Sequence, residues 1–140
     1  MNRLRTLFFG GTGIISSACV SEALAAGHDV TVLNRGTTSH RPLPDGVRLI
    51  TADVRELNSL DAALGTETFD VVADFLSFTP GQVQAHIDRW AGKVGQYIYI
   101  SSAYRSTDHL DVGGKGTSPY PLQRASLRCI SKRMYRSAGV

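Results

Sequence analysis

The chain has 140 residues, 42% hydrophobic and 19% charged, with a net charge of +3. That length sets one domain with one substantial core, and the composition is that of a soluble globular protein. No apolar run reaches the ~18 residues a membrane span needs, and the two cysteines, Cys19 and Cys129, form neither a disulfide framework nor a metal-ligand spacing, as suits a protein of the reducing cytoplasm.

Residues 7–16 read Leu-Phe-Phe-Gly-Gly-Thr-Gly-Ile-Ile-Ser, an apolar strand running through a glycine turn into a helix. Gly10 lets the chain turn sharply off the strand, and Gly11 and Thr12 carry the loop on. Gly13 has no Cβ, so its backbone can approach a phosphate. The N–H groups that open the new helix, from Ile14 and Ile15 on, face the anion, and the helix dipole favours its charge. This is the element that holds a dinucleotide pyrophosphate. Ser16 stands where a third glycine is expected, which predicts slightly looser helix–strand packing with binding retained. An ordinary βα turn without a ligand is the structural alternative. Arg3 and Arg5 before an apolar segment look superficially like a signal peptide, but the glycines interrupt that segment.

Ala18, Cys19, Val20, Ala23 and Leu24 recur at helical spacing, and Gly27 ends that helix. Val30–Leu33 is a buried strand. Asn34 and Arg35 close it, about 20 residues after the glycine turn, where an NAD enzyme usually carries an acid for the ribose 2′-hydroxyl. A carboxylate would repel a 2′-phosphate, whereas a guanidinium pairs with it, so the cofactor expected is NADP, with NAD as the second choice. The remaining pattern predicts strands over 47–51, 69–74 and 96–100, a helix over 56–64 capped near Asn58 or earlier, and a helix over 80–90 with Thr79 as N-cap and Pro80 in its first position. Gly113–Gly116 is a loop. The fold class is α/β: a Rossmann-like, doubly wound parallel sheet of at least five strands joined by right-handed crossovers.

With Thr12 before the second glycine, the G-x-x-G spacing resembles the extended short-chain dehydrogenase/reductase family, including its epimerase/dehydratase group. The resemblance implies that Asp53 meets the adenine amino group and that Val54 lies along the ring, with helix capping by Asp53 as the structural alternative. It implies that Phe75, in the Phe75–Phe78 segment, lines the cofactor cleft, unless these aromatics are simply core. It places a catalytic hydroxyl after the fifth strand, at Ser102, with Ser101 as the alternative and as a cofactor contact. Ser118-Pro119-Tyr120 resembles the opening of the family's Tyr-x-x-x-Lys helix, with Arg124 where lysine is expected; Tyr104, four residues before Asp108, is the weaker tyrosine. Arginine keeps the charge but cannot relay a proton. The activity implied is hydride transfer at an oxygen-bearing carbon of a small molecule such as a nucleotide sugar or ketone, by an epimerase/dehydratase or reductase. The competing readings are a non-catalytic NADP-binding module, serving as a redox sensor or RNA-associated protein, and a fragment without function of its own.

Charge divides the chain. Residues 1–111 carry 9 Lys+Arg against 12 Asp+Glu, whereas residues 112–140 carry 6 basic side chains and no acid. The expectation is a dinucleotide-binding domain over 1–111 and a basic segment over 112–140, a loop plus a helix, that matches the family poorly. On the resemblance, the chain reads as a truncated or frame-disrupted member whose C-terminal part of the fold is missing. The basic segment predicts at most weak nucleic-acid binding. No metal or membrane partner is expected, and a homodimer is compatible with the fold.

Overall fold

The computed structural model describes residues 2–37, 41–100 and the backbone of a strand at 129–133. Its elements run β1 (Arg5–Phe9), α1 (Ile14–Ala25), β2 (Asp29–Asn34), β3 (Arg48–Thr51), α2 (Leu57–Leu64), β4 (Val71–Asp74), α3 (Pro80–Trp90), β5 (Gln96–Ile100) and β6 (Cys129–Arg133). The strands form one sheet in the order β3-β2-β1-β4-β5-β6. β1 to β5 are parallel, and β6 lies antiparallel to β5, with Gln96 opposite Arg133 and Ile100 opposite Cys129. The order steps outward from β1 in both directions, so the chain reverses its winding between β1 and β4. Ligands of such sheets bind at the carboxyl ends of the strands flanking that reversal.

Alternation along the strands builds a core on each face. Leu7, Phe9, Leu33, Val72 and Tyr97 point to one side and pack with Leu60 and Leu64 of α2 and Trp90 of α3. Phe8, Val30, Val32 and Ala73 point to the other and pack with Val20, Ala23 and Leu24 of α1. Between β2 and β3 no helix is found among the described residues; Leu43 and Val47 from that connection cover the α1 face instead. Removing a large side chain from such a core costs about 2–5 kcal/mol.

α3 begins and ends where its local signals put it. The Thr79 hydroxyl accepts from the Gln82 N–H at 3.3 Å, and Gln82 Oε1 accepts from the N–H groups of Thr79 and Phe78 at 3.2 and 2.9 Å. Pro80 occupies the first turn, where its missing N–H costs nothing. α2 starts at Leu57 behind Glu56, which makes no side-chain cap; helix capping by Asp53 is therefore not what the structure contains. β4 starts two residues later than expected. Phe69 sits in the core ahead of it, and the Asp70 carbonyl accepts from Gly95 and Gln96 at 3.0 and 3.1 Å. The segment 112–140, expected as a loop and a helix, supplies the strand β6; its other residues lie outside those described.

Candidate active site and dinucleotide cleft

A cleft of about 570 Å³ opens at the carboxyl ends of β1, β2, β4 and β5, within the range of small-molecule sites. It is lined by the glycine turn and the first residues of α1, by Asn34–Thr37, by Phe75–Phe78, and by Tyr99 and Ile100.

Each glycine of the turn has its own physical reason. Gly10 takes φ +84°, which a side chain rarely adopts, and its N–H reaches back to the Leu33 carbonyl at 2.9 Å. A Cβ on Gly11 would stand 2.8 Å from Val32 Cγ2 and 2.9 Å from Cγ1. The close approach of turn to strand therefore falls at Gly11, not at the third motif position. A Cβ on Gly13 would meet only the Ser16 hydroxyl, at 3.2 Å. Ser16 is buried, and its Oγ accepts from the Gly13 N–H at 3.1 Å. The side chain standing in for the third glycine thus satisfies one of the donors that open α1.

At the end of β2, Asn34 Oδ1 accepts from the Gly36 N–H at 2.8 Å and closes a tight turn. Arg35, at the head of that turn, is exposed on the rim of the cleft. Asp53 and Val54 are not among the lining residues. The Asp53 carboxylate is clasped by Arg55, with Oδ1 taking its N–H at 2.9 Å and its Nε at 3.0 Å, and Oδ2 its Nη2 at 2.7 Å. These bonds hold the Asp53 pKa down to about 2, with a smaller contribution from the charge of Arg35. Val54 is a buried core residue beside Leu60. Phe75 has a double placement. It lines the cleft and also stacks on Phe8 at 6.2 Å. The structure therefore brings Gly10, Gly11, Thr12, Gly13, Ile14, Ile15, Asn34, Arg35 and Phe75 to one cleft. Ser101, Ser102, Tyr104, Tyr120 and Arg124 lie outside the described residues.

Three further groups at this end of the sheet escaped the sequence reading. Asp74, fully buried at the end of β4, accepts from Leu76, Ser77 and Tyr97. Burial, then the Asp74 carboxylate beside it, push the Tyr97 phenol well above its usual range, so it stays protonated and remains a donor. The register pairs Val72 with Tyr97 and Asp74 with Tyr99, and period-2 alternation puts these side chains on one face. That pairing is not written in the pattern of either strand alone, which is why the sequence reading missed the cluster. His86, on α3, packs 5.0 Å from the Phe9 ring, with its Nδ1 buried and unpartnered. Among the described residues no three His, Cys, Asp or Glu side chains gather as a metal ion would require. No helix among them is long and apolar enough to cross a membrane.

Residues 6–106 match the sequence pattern of the NAD dependent epimerase/dehydratase family. A UDP-glucose 4-epimerase of Lacticaseibacillus casei is 37% identical over 71 residues, which are 50% of this chain and 22% of that enzyme. Among solved structures, the epimerase Mth375 of Methanothermobacter thermautotrophicus superposes with a TM-score of 0.58 at 13% identity, over 76% of this chain and 39% of that one. A UDP-galactose 4-epimerase superposes at 0.55 and 20% identity, over 79% and 41%. These two likenesses are likenesses of fold. The chain spans less than half the length of each of these relatives.

Proposed function

Because the chain belongs to the NAD dependent epimerase/dehydratase family, we propose that its cleft binds a nicotinamide dinucleotide and prefers NADP. The observation that carries this reading is one cleft joining the glycine turn, the open N-terminus of α1 and Arg35. Gly13 leaves its backbone face clear of everything but the Ser16 hydroxyl, the space a pyrophosphate needs. The N–H groups of the first turn of α1 are donors for it. Arg35 lines the cleft just after β2, at the sequence position where NAD enzymes carry the carboxylate that selects the 2′-hydroxyl, and a guanidinium there suits a 2′-phosphate. The β4 and β5 ends, with Phe75, Leu76, Ser77, Tyr99 and Ile100, form the other half of the cleft, for the nicotinamide end.

When bound, the cofactor supplies hydride transfer at an oxygen-bearing carbon. The protein's own part falls to residues assigned from the family resemblance. Ser102 hydrogen-bonds the substrate oxygen and polarises the C–O group, and Tyr120 moves the proton. Arg124 follows that tyrosine by four residues in the sequence, where the family carries lysine. A guanidinium lowers a neighbouring phenol's pKa but does not pass on its own proton, so turnover is slow. The substrate class is a nucleotide sugar or a simple ketone.

The test is titration of NADPH and NADH into wild type and Arg35→Ala, followed by nicotinamide fluorescence. Loss of a hydrogen bond to a charged group is worth about 1.5–3 kcal/mol, or roughly 10–150-fold in affinity; the exposure of Arg35 favours the lower end. NADPH should weaken by that factor and NADH by little. Equal losses for both would refute the assignment.

A further inference from the structure

The buried carboxylate of Asp74 has no part in the reading above, yet every group it binds belongs to the cleft wall or to the strand beneath it. Oδ1 accepts from the backbone N–H groups of Leu76 and Ser77 at 2.9 and 3.0 Å. Oδ2 accepts from the Ser77 hydroxyl at 2.6 Å and the Tyr97 hydroxyl at 2.5 Å. None of these four donors is a cation. A carboxyl group at zero exposure is costly unless its bonds are good, and one that served stability alone could be replaced by an apolar side chain of similar volume.

We propose that Asp74 is a positioning residue for the dinucleotide: it holds residues 75–77 as a fixed wall set against the glycine turn. Leu76 makes the coupling direct. Its Cγ and Cδ2 lie 3.2 Å from the place a Cβ would occupy on Gly10, so a shift of the wall moves the surface that packs on the phosphate loop. Phe75 is tied in from the other side, its N–H donating to the Phe9 carbonyl at 3.1 Å. Tyr97 anchors the carboxylate to the neighbouring strand, and Gln82 fixes the far end of the segment through the Phe78 N–H. A wall held this way is formed before the ligand arrives, so binding does not bear the entropy of ordering it.

The inference rests on the cleft being a dinucleotide site, and its test separates the two. Asp74→Ala removes all four bonds. Asp74→Asn keeps an acceptor for the Leu76 and Ser77 N–H groups and loses the charge. Leu64→Ala, in the core under α2, serves as a variant destabilised away from the cleft. Dinucleotide affinity below the melting transition should fall on the order of 2–30-fold in Asp74→Ala, the range of coupling through packed neighbours, and partly recover in Asp74→Asn. It should be unchanged in Leu64→Ala. Amide hydrogen exchange should quicken at Leu76 and Ser77 but not in β1 or β2. If Asp74→Ala does not fold, Asp74→Asn against wild type carries both measurements. Wild-type affinity in both Asp74 variants, or an equal loss in Leu64→Ala, would overturn the proposal. A wild type that bound neither dinucleotide would refute the functional reading instead. Exchange alone would then decide: local quickening at Leu76 and Ser77 supports the anchored wall, and unchanged or uniformly raised exchange overturns it.

Discussion

Gly11→Ala isolates a steric effect. The residue has no positive φ, so alanine meets no backbone strain, and only space decides the outcome. The new methyl would stand 2.8 and 2.9 Å from the two γ-carbons of Val32 and 3.4 Å from Val20 Cγ2. Both valines are fully buried, in β2 and α1, and a β-branched side chain has few rotamers to escape into. Overpacking of this kind costs about 1–3 kcal/mol, and in a chain of this length each kcal/mol lowers the melting temperature by about 3 °C. Urea and thermal denaturation followed by circular dichroism measure it. In a Val32→Ala background the same substitution should cost much less, because the clashing methyl groups are gone; the difference is the coupling energy. Gly13→Ala is the contrast. It has only the Ser16 hydroxyl nearby, at 3.2 Å, so stability should change by no more than about 1 kcal/mol while dinucleotide affinity falls. A Gly11→Ala protein as stable as wild type, or one equally destabilised with and without Val32, would refute the packing argument.

Two further outcomes follow from single side chains. Burial pushes the pKa of His86 down, against a partial opposing pull from Asp74. The native state holds it neutral while the unfolded chain protonates near ~6.5. Its stability contribution is therefore complete above that pH and is lost as pH falls toward the lower folded value. Melting temperature should drop between pH 7.5 and 5, and His86→Asn should flatten that slope; a slope unchanged by the substitution would contradict it. The window excludes Asp53, whose pKa is held down to about 2, so its contribution is lost only below the ordinary aspartate range, at about pH 4. Thr79→Ala should cost about 1 kcal/mol by removing the α3 cap, and Thr79→Ser should restore most of it, both read from thermal melts.

What the amino-acid sequence made legible was local. Thr79, Pro80 and Gln82 lie within one turn of each other and mark the start of α3 without help from the rest of the chain. The run from Leu7 to Ile15 carries its strand, turn and helix in consecutive residues, which is why the lining of the cleft was readable there. The misses were contacts across the fold. The role of Gly11 depends on Val32, a residue of the next strand. The Asp74 cluster depends on the β4–β5 register, which no periodicity within either strand encodes. The Arg55 guanidinium that holds the Asp53 carboxylate, two residues on, is a local contact that the strand and helix pattern does not mark. The strand Cys129–Arg133 was missed because its Cys-Ile-Ser-Lys-Arg sequence has no clean apolar alternation; its pairing to β5 is a long-range choice.

The central claim is that the cleft between the glycine turn and the β4 wall holds a nicotinamide dinucleotide. NMR titration of the isotopically labelled chain with NADPH tests it most directly, because backbone amides report both binding and place. The account predicts saturable shifts concentrated at Gly10–Ser16, Asn34–Thr37 and Leu76–Phe78, with NADH needing higher concentrations to reach the same end point. No saturable shift with either dinucleotide, or shifts confined to residues away from these three segments, would contradict it.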